Sequence, residues 1–191
     1  MKVKRKVEKK EFREWLYYNL DTSDTALYEE LNNPDAIGIF QMNGGTAQNI
    51  IKQIHPDNFE EANAVNALSR PGPMENVPAY VEHKKGAKSP YPELMNEITR
   101  NTYFIPIYQE QIMEIFQKLG GFTFEEADSV RSLMKKLGKL EKDPEDLKKW
   151  KKTVDRFKRN ALKNGISEKD AEKITNDLVA FAGYSFNRCF S

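Results

Sequence analysis

Apolar residues along most of this chain recur with the 3.6-residue period of a helix. The clearest stripe is Ile112, Ile115, Phe116 and Leu119, at i, i+3, i+4 and i+7. It predicts a helix over 109–119 that opens at Tyr108-Gln109-Glu110-Gln111 and stops at Gly120-Gly121, since glycine favours the backbone that ends helices. Ala47, Ile50, Ile51 and Ile54 predict a helix over 46–54, closed before Pro56. Asn58 with Glu61 resembles a capping box, and Ala62, Val65 and Leu68 carry that helix over 59–68. Thr123 with Glu126 starts another over 124–136, with Ala127, Val130 and Met134 inside and Gly138 past its end. Asp143, Pro144 and Asp146 supply a cap, a first-turn proline and a first-turn acid. The helix they start, 144–163, is lined by Trp150, Val154, Phe157 and Ala161 and ends at Gly165. Ser167 with Asp170 opens the last, 168–182, with Ala171, Ile174, Leu178 and Phe181 inside. Shorter helical patterns cover Ser23 to Leu31 and about 92–100.

The remaining pieces break this period. Ala36 to Met42 and Tyr103 to Ile107 are short apolar runs, read as extended. Residues 69–90, with Pro71-Gly72-Pro73, Pro78 and Pro90, read as a long loop that presents Arg70 on a rigid backbone. The predicted fold class is mainly α, with short extended segments and no internal repeat.

Composition narrows the picture without naming a chemistry. The chain has 191 residues, enough for one ordinary domain. With 39% hydrophobic and 31% charged residues it is fairly polar, and its net charge of +1 says nothing about nucleic acid. One cysteine, Cys189, excludes an internal disulfide framework. No apolar run approaches the roughly 20 residues of a membrane span, and no apolar stretch follows the basic start to make a secretory signal. The default compartment is therefore the cytoplasm.

Charge is informative only locally. Residues 1–20 carry a basic run with an aromatic tail and read as a separate N-terminal arm. Between Arg131 and Lys163 there are thirteen basic and five acidic residues, a local excess of +8. For 148–159 a solvated helix face explains this. Arg131, Lys135 and Lys136 fall within one helix at i, i+4 and i+5, and by themselves suit either a solvated face or a phosphate site. Arg70 and Lys84-Lys85 are second-rank cations on a loop. The polar turn Gln109, Glu110 and Gln111 either caps free backbone N–H groups or faces a ligand. Gly44-Gly45-Thr46 at a helix start is a weak anion cradle. His55 and His83 lack metal-ligand spacing.

Several blocks occur in a specific order: Gly38-Ile39-Phe40-Gln41, Ala67-Leu68-Ser69-Arg70-Pro71-Gly72-Pro73, Tyr108-Gln109-Glu110-Gln111, Glu126-Ala127-Asp128 with Arg131 and Met134-Lys135-Lys136, Lys163-Asn164-Gly165-Ile166, and Phe181-Ala182-Gly183-Tyr184 with Phe186-Asn187. Over roughly 21–188 this resembles the bacterial replicative DNA polymerase III alpha subunits, the C family, which phage also use. The resemblance implies a fragment of a DNA-directed DNA polymerase carrying the first part of the helical fingers. In that family an Asp-x-Asp pair and a third Asp, upstream of these blocks, hold the catalytic Mg²⁺ ions. This chain has no Asp-x-Asp, and Glu141-Lys142-Asp143 is explained by helix capping. The palm carboxylates are therefore expected to be absent, along with any metal ligand, and the isolated chain to be inactive.

The resemblance also implies partners and roles. Arg131, Lys135, Lys136 and Arg70 are expected to bind nucleotide or phosphate, and Tyr108, Gln109, Glu110 and Gln111 to lie near nucleotide or template. The partners are DNA, deoxynucleoside triphosphates and the remaining palm, thumb and fingers segments, with no membrane. The family continues with Gly-Phe-Asn-Lys-Ser-His where this chain has Ser185-Phe186-Asn187-Arg188 and then Cys189-Phe190-Ser191. Cys-Phe-Ser resembles the opening of an intein at 189–191, with Cys189 as a nucleophile toward the Arg188 carbonyl and an intein partner elsewhere. The competing reading is a non-enzymatic helical module that binds nucleic acid or docks onto a polymerase.

Overall fold

In a computed structural model the described residues are 21–33, 39, 41–137, 143–182 and 188. The basic arm 1–20, most of the run 36–42, Gly138, the side chain of Phe181, and Cys189 lie outside them. The helices follow in order: α1 (Thr25–Leu31), α2 (Gly45–Ile54), α3 (Phe59–Leu68), α4 (Val77–Lys84), α5 (Glu93–Thr99), α6 (Gln109–Lys118), α7 (Phe124–Leu137), α8 (Pro144–Lys163) and α9 (Glu168–Ala182). Short 3₁₀ turns cover Pro73–Asn76 and Arg100–Thr102, and no strand is present among the described residues. The mainly α expectation holds, and the six long predicted helices stand within a residue or two of their predicted ends.

The caps form as their residue types dictate. Asp24 accepts from the Ala26 N–H, Asn58 from the Glu61 N–H, and Asp143 from the Glu145 N–H. Each satisfies a first-turn donor that has no partner within its own helix.

Two stretches depart from the expectation. The 69–90 loop contains the Pro73–Asn76 turn and all of α4, whose Val77 and Tyr80 are buried. Pro73 and Pro78 looked like breakers but stand in first turns, where a missing N–H costs nothing. The run from Tyr103, expected to be extended, begins with a turn. Tyr103 and Phe104 take left-handed backbone, with φ of 48° and 66°. Such a conformation needs tertiary support. Tyr103 has it: its ring meets Tyr80 edge-on at 5.1 Å, and its hydroxyl donates to Glu61 Oε1 at 2.5 Å.

One continuous core joins a group formed by α2, α3 and α4 to a second in which α6 packs on α5 and α7, α7 on α8, and α8 on α9. Phe116 of α6 is fully buried at the centre of the second group, edge-on to Phe157 (5.0 Å), Phe122 (5.4 Å) and Trp150 (6.3 Å). Close approach is possible because residue 120 is glycine. A Cβ there would stand 2.6 Å from Phe157 and 2.7 Å from the Phe116 carbonyl oxygen. This packing fixes where the N-terminus of α6 faces the middle of α7.

Candidate nucleotide-proximal site

The first turn of α6 is built from inside. Gln111 is buried, and its Oε1 accepts from the Ile107 and Tyr108 N–H groups, both at 3.0 Å. Its Nε2 donates to Thr102 Oγ1 at 2.8 Å and to the Ile98 carbonyl at 3.4 Å. The amide therefore ties α5, the Arg100–Thr102 turn and the entry to α6 together. Tyr108 and Gln109 are buried as well, and Glu110 is exposed.

Arg131 meets this turn from α7. Its Nη1 donates to Gln109 Oε1 at 3.3 Å, while Nε and Nη2 donate to Asp128 Oδ1 at 2.8 and 2.6 Å. Asp128 stands one turn earlier on the same helix, so the fork is held by an i, i+3 pair. The Arg131 side chain remains about a quarter exposed, at 24%.

Of the other two cations of the motif, Lys136 separates from it. Five residues along a helix turn the side-chain direction by about 140°. Lys136 accordingly faces α8, its ammonium 3.8 Å from Asp146, and Lys135 is exposed. The hollow of about 510 Å³ between α7 and α8 is lined by acids as well as cations, among them Glu126, Asp146, Lys149 and Arg156. Arg156 donates to both oxygens of Glu126, at 2.6 and 2.9 Å, and lies 4.3 Å over the Phe122 ring. That fork, followed by the Thr123 N–H bond, holds the Glu126 carboxyl below its ordinary pKa.

Arg70 is placed at a different hollow, of about 590 Å³, lined also by Asn43, Gly44, Asn66 and Ser69. Gly44 caps α2 there without a side-chain bond. Gly44, from the weak Gly44-Gly45-Thr46 signal, and the second-rank cation Arg70 thus share one depression that has no residue in common with the α7–α8 hollow. Lys84 is engaged internally: its ammonium pairs with buried Glu61 (2.6 Å) and Asp57 (3.1 Å) and donates to the His55 carbonyl (2.8 Å). Among the described residues no group of three His, Cys, Asp or Glu could hold a metal ion, and no helix is long and apolar enough to cross a membrane.

The model of the bacterial DNA polymerase III alpha subunit finger domain matches residues 1–165 of this chain. The chain belongs to that family. Similar proteins include the DNA polymerase III alpha subunits of Campylobacter jejuni, 36% identical over 97% of this chain, Bacillus subtilis, 36% over 89%, and Thermus aquaticus, 34% over 90%. The chain spans only 14–15% of those relatives' length. As a finger-domain sequence it carries the Tyr108–Gln111 turn and Arg131 in one contact.

The residues that fix the turn were less visible than the turn itself. Asp128 could have been found from its i, i+3 spacing to Arg131. The Glu126–Arg156 fork crosses two helices, and sequence offered only the local capping role of Glu126, which is also realised, with Thr123 donating its N–H to Glu126 Oε2 at 2.9 Å.

Proposed function

We propose that this chain supplies the first part of the fingers of a replicative C-family DNA polymerase, contacting the incoming nucleotide and the template. In this reading Arg131 binds a phosphate group of the deoxynucleoside triphosphate. The observation that carries it is the Asp128–Arg131–Gln109 arrangement: a guanidinium oriented by one carboxylate, partly exposed, and presented beside the first turn of α6. A preorganised arginine can fork onto phosphate oxygens with little further ordering. Gln109 and Glu110 border that position, Tyr108 and Gln111 hold its backbone, and Lys135 adds point charge one turn along α7. Lys136 and Arg70 act farther away, Arg70 through its own hollow.

Mg²⁺ belongs in this reading to carboxylates of the palm, supplied outside this chain. DNA, the triphosphates and the palm, thumb and remaining fingers are then the partners. The test is Arg131→Ala in a polymerase reconstituted from this chain and the missing segments. Loss of a charge-assisted hydrogen bond of about 2 kcal/mol predicts a kcat/KM for nucleotide lower by roughly 30-fold, with the thermal midpoint of the chain nearly unchanged. Unaltered kinetics would remove Arg131 from the nucleotide site.

A further inference from the structure

The cations of α8 are sorted by side. Lys149 pairs with Asp146 of the same helix, Arg156 with Glu126 of α7, and Lys158 with Glu172 of α9. Lys148, Lys151, Lys152, Arg159 and Lys163 are exposed, and among the described residues none of them is in an ion pair. At about 100° per residue they fall roughly 120–240° around the helix from Phe157, which is fully buried. They therefore line the side opposite the core, in a row about 22 Å long. Asp155 lies within the row and Glu145 at its N-terminal end, both exposed. Lys148 with Lys152, and Arg159 with Lys163, are like-charge i, i+4 neighbours, an arrangement that destabilises a helix. A solvated face, the reading of 148–159 from sequence, does not account for paired flanks beside an unpaired outer row.

We propose that this outer row of α8 is a docking surface for the phosphate backbone of a double-stranded nucleic acid, bound without regard to sequence. A duplex carries one negative charge per roughly 1.7 Å of its axis, so a rigid row of this length faces about 13 of them. Surfaces that hold single strands combine cations with exposed aromatic rings on which bases stack. The row has no such ring, because Trp150 packs against the core and Phe157 lies within it. A helix lying on a membrane inserts its apolar face, and on α8 that face is already covered by the rest of the fold. Leu162, exposed beside the row, is a single aliphatic side chain. The surface is separate from Arg131, which is directed toward α6, and it stands whether or not Arg131 binds nucleotide.

The test is fluorescence anisotropy of a labelled duplex of arbitrary sequence, about 20 base pairs long, titrated with the purified full chain. Five phosphate contacts predict binding roughly 500-fold weaker at about 200 mM NaCl than at about 50 mM. A Lys148→Gln/Lys152→Gln/Arg159→Gln variant should bind at least about tenfold more weakly at the lower salt. Its slope of log Kd against log salt should fall by about 3, one for each cation removed. A control variant, Lys52→Gln/Lys88→Gln/Arg100→Gln, removes the same charge from exposed positions elsewhere and should bind as the wild type does. Matching circular dichroism spectra and thermal midpoints confine the comparison to the surface. A single strand of the same length should bind more weakly than the duplex, and vesicles of phosphatidylcholine and phosphatidylserine should not recruit the chain. Equal losses in the two variants would overturn the proposal, since net charge alone would then explain binding. So would salt-independent binding by the wild type, tighter binding of the single strand, or recruitment to vesicles that depends on the row.

Discussion

Gln111 shows how much one amide decides at the scale of the residue. Its position in the polar first turn of α6 is equally consistent with facing a ligand, and in the fold the side chain is buried and engaged at both ends. Replacing it with leucine keeps the approximate volume but leaves the Ile107 and Tyr108 N–H groups without their acceptor. At about 1–3 kcal/mol for each unsatisfied buried donor, Gln111→Leu should destabilise the chain by about 3 kcal/mol. For a domain of this size that lowers the thermal midpoint by roughly 6–12 °C, measurable by circular dichroism. A shift below about 2 °C would mean that the loop finds other acceptors. Gln109, two residues earlier, is also buried and accepts from Arg131.

At the scale of the element, α7 divides its side chains among three neighbours. Arg131 goes to α6, Met134 to the core, and Lys136 toward α8. Its N-terminal acid Glu126 binds backward to its own cap and across to Arg156. Because both partners favour the ionised carboxylate, the folded-state pKa of Glu126 is lowered. A lowered folded pKa contributes stability above the unfolded value, and that contribution is lost as pH falls through the folded one. Glu126→Gln should therefore have a lower thermal midpoint than wild type at neutral pH. The gap should close on acidification through and below the ordinary carboxylate range. A gap that is constant over that range would show that the charge of Glu126 contributes nothing. The effect is small, since both partners are well exposed.

At the scale of the whole molecule, the chain has one continuous core yet corresponds to about one-seventh of its relatives' length. A core of that kind supports an independent fold. Chemistry by two metal ions needs convergent carboxylates, and the described residues contain no such cluster. Purified alone, the chain should give no primer extension with Mg²⁺ and all four deoxynucleoside triphosphates, while unfolding cooperatively on heating. Extension from a clean preparation would place metal-binding carboxylates within these 191 residues and require a different account of its site.

The sequence by itself determined the helices with strong stripes and local caps, because period and capping act over only a few residues. The ends of α2, α3, α6 and α8 follow from Pro56, Asn58, Gly120 and Asp143 in this way. It also determined the family, through ordered blocks that no single helix requires. Only the tertiary structure decided the rest. Pro73 and Pro78 serve as helix starts because Val77 and Tyr80 have a core to enter. Tyr103 adopts left-handed backbone because buried Glu61, 42 residues away, accepts its hydroxyl. Arg131 and Lys136 share a motif, but the rotation of α7 against α6 and α8 sends them to different neighbours. These choices rest on contacts between groups far apart in the chain, whose partners no local pattern specifies.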